Sequence, residues 1–119
     1  MKHLLIVDDN PDIRELLGEA FDGLVDKLTF AENGVVAQDC LSTDNTVNCI
    51  LSDIAMPECD GFLLLEHSKG HYPHIPFVLL SAYGSENNMR KAERLGAHAF
   101  VNKTEWDQVI KVVQNIFSK

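Results

Sequence analysis

Two adjacent carboxylates, Asp8 and Asp9, close the apolar run Leu4-Leu5-Ile6-Val7, and a third, Asp53, closes a second such run, Cys49-Ile50-Leu51-Ser52. Ser81 ends a third run, Phe77 to Leu80, and Lys103 closely follows a fourth, His98 to Val101. At about 4 Å two like charges repel by ~1 kcal/mol in water and ~4 kcal/mol at an effective dielectric near 20, so acids gathered in one place need a counter-charge. A hard divalent cation is the obvious one, and oxygen ligands suit Mg2+ better than a softer metal. With so few protein oxygens, the ion would keep waters and leave a position for a phosphate. A lysine ammonium then serves as a mobile point charge for a phosphoryl oxygen, a serine hydroxyl as a donor, and the isolated Asp53 as a carboxylate nucleophile. Taken singly, each residue has an ordinary reading: a helix cap or loop acid, a turn hydroxyl, a solvated lysine. The chemistry requires that one fold bring all five together.

The elements that would do so are legible as five alternating strand and helix units, with no repeat, low-complexity stretch or linker-like composition. The expected strands are His3 to Val7, Leu28 to Ala31, Cys49 to Ser52, Phe77 to Leu80 and His98 to Val101. Asn10-Pro11-Asp12 supplies a cap, a proline at the first helical position and an acid in the first turn, and Ile13, Leu16, Leu17, Ala20, Phe21 and Leu24 form an apolar stripe behind it. A second helix follows Asn33-Gly34, with Val36, Ala37, Cys40 and Leu41 on one face. A third starts near Phe62 after the loop from Met56 to Gly61 and is broken by the region from Gly70 to Pro76. A polar fourth helix runs from about Glu86 to Leu95 and stops at Gly96. Thr104 and Asp107 have capping-box spacing before a fifth helix, whose buried face is Trp106, Val109, Ile110, Val113, Ile116 and Phe117.

Strands so continuously apolar belong in a parallel sheet covered on both faces. Right-handed crossovers then give a doubly wound α/β fold of three layers, five strands in the order 2-1-3-4-5 with five helices. All strands of such a sheet end on one edge, which places Asp8, Asp9, Asp53, Ser81 and Lys103 at the switch point where open α/β sheets bind ligands.

Composition narrows the function further. The 119 residues form one domain, 1–119, and 45% hydrophobic content is enough for a core without staples. The net charge of −8 argues against a nucleic-acid surface. Apolar runs as short as Phe77 to Leu80 span no bilayer. Cys40, Cys49 and Cys59 are odd in number and never in Cys-x-x-Cys spacing, which fits reduced thiols in the cytoplasm. Residues 1–60 hold thirteen acids and three bases, residues 61–119 five acids and seven bases, an asymmetry that either an acidic site in the first half with a partner-facing surface in the second or ordinary solvated helix faces would produce.

The segments IVDDN (Ile6 to Asn10), LSDIAMPECDG (Leu51 to Gly61), VLLSAY (Val78 to Tyr83) and FVNK (Phe100 to Lys103) together resemble the receiver domain of two-component response regulators over essentially the whole chain. The resemblance implies the flavodoxin-like fold and a phosphoacceptor switch. It implies that Asp53 takes a phosphoryl group from a phosphohistidine on a histidine kinase or a histidine phosphotransfer protein. It implies that Asp9, Asp53 and the backbone carbonyl of Ala55 ligate Mg2+, or Mn2+ in its place, with Asp8 acting mainly through water. By the same resemblance Lys103 would pair with the phosphoryl group, Ser81 would move to it, and Phe100 would turn inward behind Ser81, altering the face of the fourth helix, fifth strand and fifth helix toward a downstream protein. A monomer or a phosphorylation-dependent homodimer fits this scheme, as does a stand-alone receiver or a piece of a larger regulator or hybrid kinase. The chain would assist its own phosphotransfer and autodephosphorylation without being an enzyme otherwise.

Thr104 stands where the family usually has a proline, often after a cis bond, so a trans bond or a strained loop is expected here. Tyr83 is expected to shield the phosphoryl group. Arg90, Lys91 and Arg94 read as an acidic partner's contact or as a charge-paired solvated face. His67, His71 and His74 read as exposed loop histidines, since Gly70 and Pro73 spoil a ligand geometry, and Cys59 reads as a small apolar packer. Two other functions compete: a degenerate receiver that regulates by docking alone, and a small phosphohydrolase of the haloacid dehalogenase-like kind. The latter family carries its acids as Asp-x-Asp after the first strand, whereas here they are adjacent.

Overall fold

The computed structural model describes residues 1–56, 59–82 and 86–118. Strands and helices alternate as β1 (His3–Val7), α1 (Pro11–Phe21), β2 (Lys27–Ala31), α2 (Gly34–Thr43), β3 (Cys49–Asp53), α3 (Gly61–His71), β4 (Phe77–Ser81), α4 (Glu86–Arg94), β5 (Ala99–Asn102) and α5 (Trp106–Phe117). The five strands pair in parallel in the order β2-β1-β3-β4-β5. This is the expected flavodoxin-like, doubly wound sheet. Side chains alternate along each strand, so β1 sends Leu5 and Val7 into the layer under α2, α3 and α4, and Leu4 and Ile6 into the layer under α1 and α5. Every residue of β1, β3 and β4 is buried, as two-sided coverage demands.

Asn10 caps α1 as expected, its Oδ1 accepting from the Asp12 and Ile13 amides at 2.9 and 3.4 Å. Three expectations need correction. Leu16 is 49% exposed and Leu24 lies beyond the end of α1, because Leu17 and Phe21, with Ile13 partly buried beside them, fill the space against the sheet there. The third helix ends inside the expected break, at His71, but Gly70 does not interrupt it, so His67 and His71 are helical and not loop residues, His67 is only half-exposed, and the two rings lie one turn apart with centroids 4.3 Å from each other. No capping box opens α5: Glu105 is its N-cap without a side-chain bond, and the Thr104 hydroxyl donates backward to Asn102 Oδ1 at 2.8 Å. Asn102, two residues earlier, already forms a side-chain turn that captures both the Thr104 amide and its hydroxyl. Cys59 is buried against α2, where a Cβ on Gly34 would lie 2.5 Å from its Sγ, and burial pushes its thiol pKa up.

At the opposite edge of the sheet from the strand tips, His3 is wholly buried. Its Nδ1 lies 2.8 Å from Thr46 Oγ1, and its Nε2 lies 2.7 Å from Thr29 Oγ1. Asp44 Oδ2 is 4.0 Å from the ring and is itself paired with Lys27. Burial lowers the His3 pKa, Lys27 adds to that, and Asp44 and the Thr46 backbone oppose it without prevailing. The folded pKa therefore lies below the unfolded value, and below about 6.5 the unfolded chain binds the extra proton. Stability should be fully present above that pH and fall as pH drops through it, well before Asp44, whose carboxyl is held below the usual range, begins to titrate. Urea midpoints measured between pH 8 and 5 should show this fall in the native chain and a flatter profile in His3→Gln.

Candidate functional site

The strand tips are fastened to one another just beyond the ladder. The Asp8 amide donates to the Ala31 carbonyl at 3.1 Å, the Ile54 amide to Leu80 at 3.2 Å and the Lys103 amide to Ser81 at 2.8 Å. Register puts Asp53 beside Leu80 and Ser81 beside Asn102. These links hold Asp8, Asp53, Ser81 and Lys103 at one edge, although they arrive from four different strands.

Asp8 is fully buried. Its Oδ1 accepts from the Asn10 amide at 2.9 Å, and its backbone carbonyl accepts from Arg14 Nη1 at 2.6 Å. Its Oδ2 receives no aligned hydrogen bond among the described residues but lies 2.9 Å from Lys103 Nζ, a contact of charge. Asp53 Oδ1 accepts from the Ile54 amide at 2.9 Å, and Oδ2 accepts from Lys103 Nζ at 3.2 Å. Asp9 is exposed beside them, and one carboxylate oxygen from each of Asp8, Asp9 and Asp53 lies within 4.8 Å of the others. At that separation each pair of charges repels by roughly 3 kcal/mol at an effective dielectric of about 20.

The charges move the proton equilibria accordingly. Burial pushes the Asp53 carboxyl up; Lys103 opposes that and Asp8 adds to it, so the net direction is upward. Burial alone would lower the Lys103 ammonium, but Asp8 and Asp53 outweigh it and hold its pKa above the usual value. Lys103 is thus a firmly charged cation between two acids. Thr104 supports it: the Lys103–Thr104 bond is trans, as expected, and the Thr104 amide, which a proline would lack, donates to Asn102 Oδ1 at 2.9 Å.

A pocket of about 230 Å³ opens on this group, lined by Asp53, Ala55, Ser81, Lys103 and, from α4, Asn88. Its floor depends on Gly61, whose amide donates to the Ile54 carbonyl at 2.8 Å and whose added Cβ would lie 2.3 Å from the Asp53 carbonyl oxygen. Phe100 is half-buried and sits opposite Leu79, two residues short of the Ser81 level, in a groove with Met89, Gln108 and Val112. Tyr83, Pro57 and Glu58 lie outside the described residues. Sequence reasoning named Asp8, Asp9, Asp53, Ala55, Ser81 and Lys103, and these are brought together here. It missed Arg14 and Asn88. Arg14 carried a usable signal, since a base in the opening turns of a helix runs against the helix dipole. Asn88 carried none in a helix made mostly of polar residues.

The acids fit a hard cation: the donors are all oxygen, and one of them, Asp8 Oδ2, is buried without an aligned hydrogen bond. The model of the response regulator receiver domain matches residues 4–114. The chain belongs to that family. Over 103 residues this receiver is 36% identical to the response regulator SaeR of Staphylococcus aureus, covering 87% of the chain and 44% of SaeR. The chain thus spans under half the length of that curated relative. Among solved structures it is similar to the response regulator TrrA of Thermotoga maritima, captured with Mg2+ and beryllium fluoride, at 27% identity and a TM-score of 0.87 over 98% of this chain and 99% of TrrA. The chemotaxis protein CheY4 of Vibrio cholerae shares the fold, with a TM-score of 0.88 at 22% identity over 98% of both chains. Among the described residues no helix is long and apolar enough to cross a membrane.

Two substitutions probe the receiver's geometry. Lys103→Met leaves two buried acids without their cation and should cost about 2–4 kcal/mol in urea unfolding with EDTA present. Gly61→Ala forces a methyl group into the Asp53 backbone and should cost about 2 kcal/mol or more by the same measurement, with no flexible side chain free to give way.

Proposed function

We propose that this receiver, taken as one unit over residues 1–119, is a phosphoacceptor switch in which Asp53 carries the phosphoryl group. The observation that supports it most is the placement of the Asp53 carboxylate, buried at a strand tip, bonded to Lys103 and within 4.8 Å of two further acids. The donor is a phosphohistidine on a histidine kinase or histidine phosphotransfer protein. An Asp53 oxygen attacks phosphorus, an O–P bond forms, the N–P bond breaks, and the imidazole leaves with the electron pair. Asp9, Asp53 and the Ala55 carbonyl would hold Mg2+ directly and Asp8 through water, with Mn2+ an acceptable substitute; the TrrA complex with Mg2+ and beryllium fluoride supports this by likeness. Once bound, the cation supplies positive charge that neither Lys103 nor Ser81 can provide alone.

Lys103 leaves its acids only as far as the phosphoryl oxygens, so it stays paired throughout. Ser81 donates its hydroxyl to the same group, and Phe100 follows into the space behind. The surface of α4, β5 and α5 thereby changes toward a downstream protein, by dimerisation of two copies or by docking of a monomer. The exposed Met89 and the groove of about 450 Å³ along Phe100 and Val112 supply the apolar part of that surface. Reaction beyond self-phosphorylation and self-dephosphorylation is not expected. The free thiols of Cys40, Cys49 and Cys59 support a cytoplasmic setting, and the charge of −8 supports protein partners over nucleic acid.

Incubation with Mg2+ and acetyl phosphate should add one phosphoryl group to the native chain and none to Asp53→Asn, read by intact mass at neutral pH. EDTA should abolish the addition. No addition to the native chain would leave a docking module, and turnover of a general phosphate ester would indicate a hydrolase.

A further inference from the structure

Asn88 stands in the opening turn of α4, half-buried, and faces the same pocket as Asp53, Ser81 and Lys103. Two neighbours among the described residues help to hold it there. Ala92, one turn on, is the residue of α4 that is fully buried, packed in the layer with Phe62 and Leu79. Lys91, three residues on, places its ammonium 4.4 Å from the centre of the Phe62 ring, an attraction of cation to π face. Phe62 follows Gly61, whose amide is bonded to the carbonyl of Ile54, the residue after Asp53. One edge of α4 is therefore tied to the acid's own loop, and the rest of the helix is exposed, with Glu86 and Arg90 paired to each other at 2.7 Å. An element docked through so few contacts shifts readily.

A carboxamide offers two N–H donors without altering the charge balance of the acids and Lys103. The α4 dipole adds positive character at the same end of the helix. We propose that Asn88 is a further binding residue of this site: its side-chain N–H donates to an oxygen of the phosphoryl group on Asp53, so that the anion engages α4 directly. This rests on the phosphoacceptor reading above and adds to it a contact from the helix, separate from the strand tips that carry Ser81 and Lys103. A hydrogen bond to a charged group is of the stronger kind, so its loss should be measurable.

The test uses the full chain with Mg2+ and beryllium fluoride as the phosphoryl mimic, followed by calorimetry and fluorine NMR. At saturating Mg2+, Asn88→Ala should bind the mimic about tenfold more weakly, with Mg2+ affinity at its native value. Asn88→Asp, of nearly the same shape, should weaken it further, because a carboxylate repels the anion. Native affinity for the mimic in Asn88→Ala would overturn the proposal, as would parallel losses of mimic and Mg2+ binding, which would mark a purely structural role. If the native chain takes up no mimic, or Asp53→Asn takes up as much, the phosphoacceptor reading itself fails.

Discussion

Mutual repulsion among three carboxylates is the constraint around which this molecule is arranged. Asp8, Asp9 and Asp53 lie within 4.8 Å of one another at the tips of two adjacent strands, and two of them are buried. Nothing in hydrophobic packing favours that arrangement, and an unpaired buried charge is among the costliest features a fold can carry. Lys103 makes it tolerable by touching both buried acids, and it can do so because β4, which separates β3 from β5, ends in a small residue, Ser81, so the side chain can reach across. The short backbone bonds beyond the ladder, the Asn102 turn and the glycine at 61 all serve to keep these groups in register.

The same arrangement explains how a small change of charge could be felt at a distance. A new anion at Asp53 would compete for Lys103 and add acceptors beside it, so its effect would be a redistribution of existing contacts. The central strands β1, β3 and β4 resist such change because they are buried on both faces. Helix α4 does not, being held by Ala92, by Lys91 over Phe62 and by the partly buried Leu95 beyond its end. Contacts that differ between two placements of α4 are what an anion needs in order to bias one of them.

Much of this was legible in the amino-acid sequence, for physical reasons. Continuous apolar runs mark strands buried on both sides, and a parallel sheet sends all their polar tail residues to one edge, so Asp8, Asp53, Ser81 and Lys103 could be grouped without coordinates. Strand limits differed by a residue or so, as with Asp53 and Ser81, which prove to be the last ladder residues rather than the first loop residues. What stayed hidden depended on how helices lie against the sheet. Leu16 shares a stripe with Leu17 yet faces solvent, because only part of a wide stripe fits the sheet. Thr104 and Asp107 had capping spacing, but Asn102 competed for the hydroxyl. Asn88 is one polar residue among many until the approach of α4 singles it out.

The bond from the Lys103 amide to the Ser81 carbonyl sets a limit on tempo. It ties the main chains of β4 and β5 together at their tips, so any movement of the Ser81 hydroxyl would come chiefly from turning about its own χ1, without dragging the strand. For a side chain as buried as Ser81, such a turn about one bond is still a far smaller motion than the resettling of a packed helix, which takes microseconds to milliseconds. Any response of this site that passes through α4 therefore takes its pace from the helix and not from the hydroxyl.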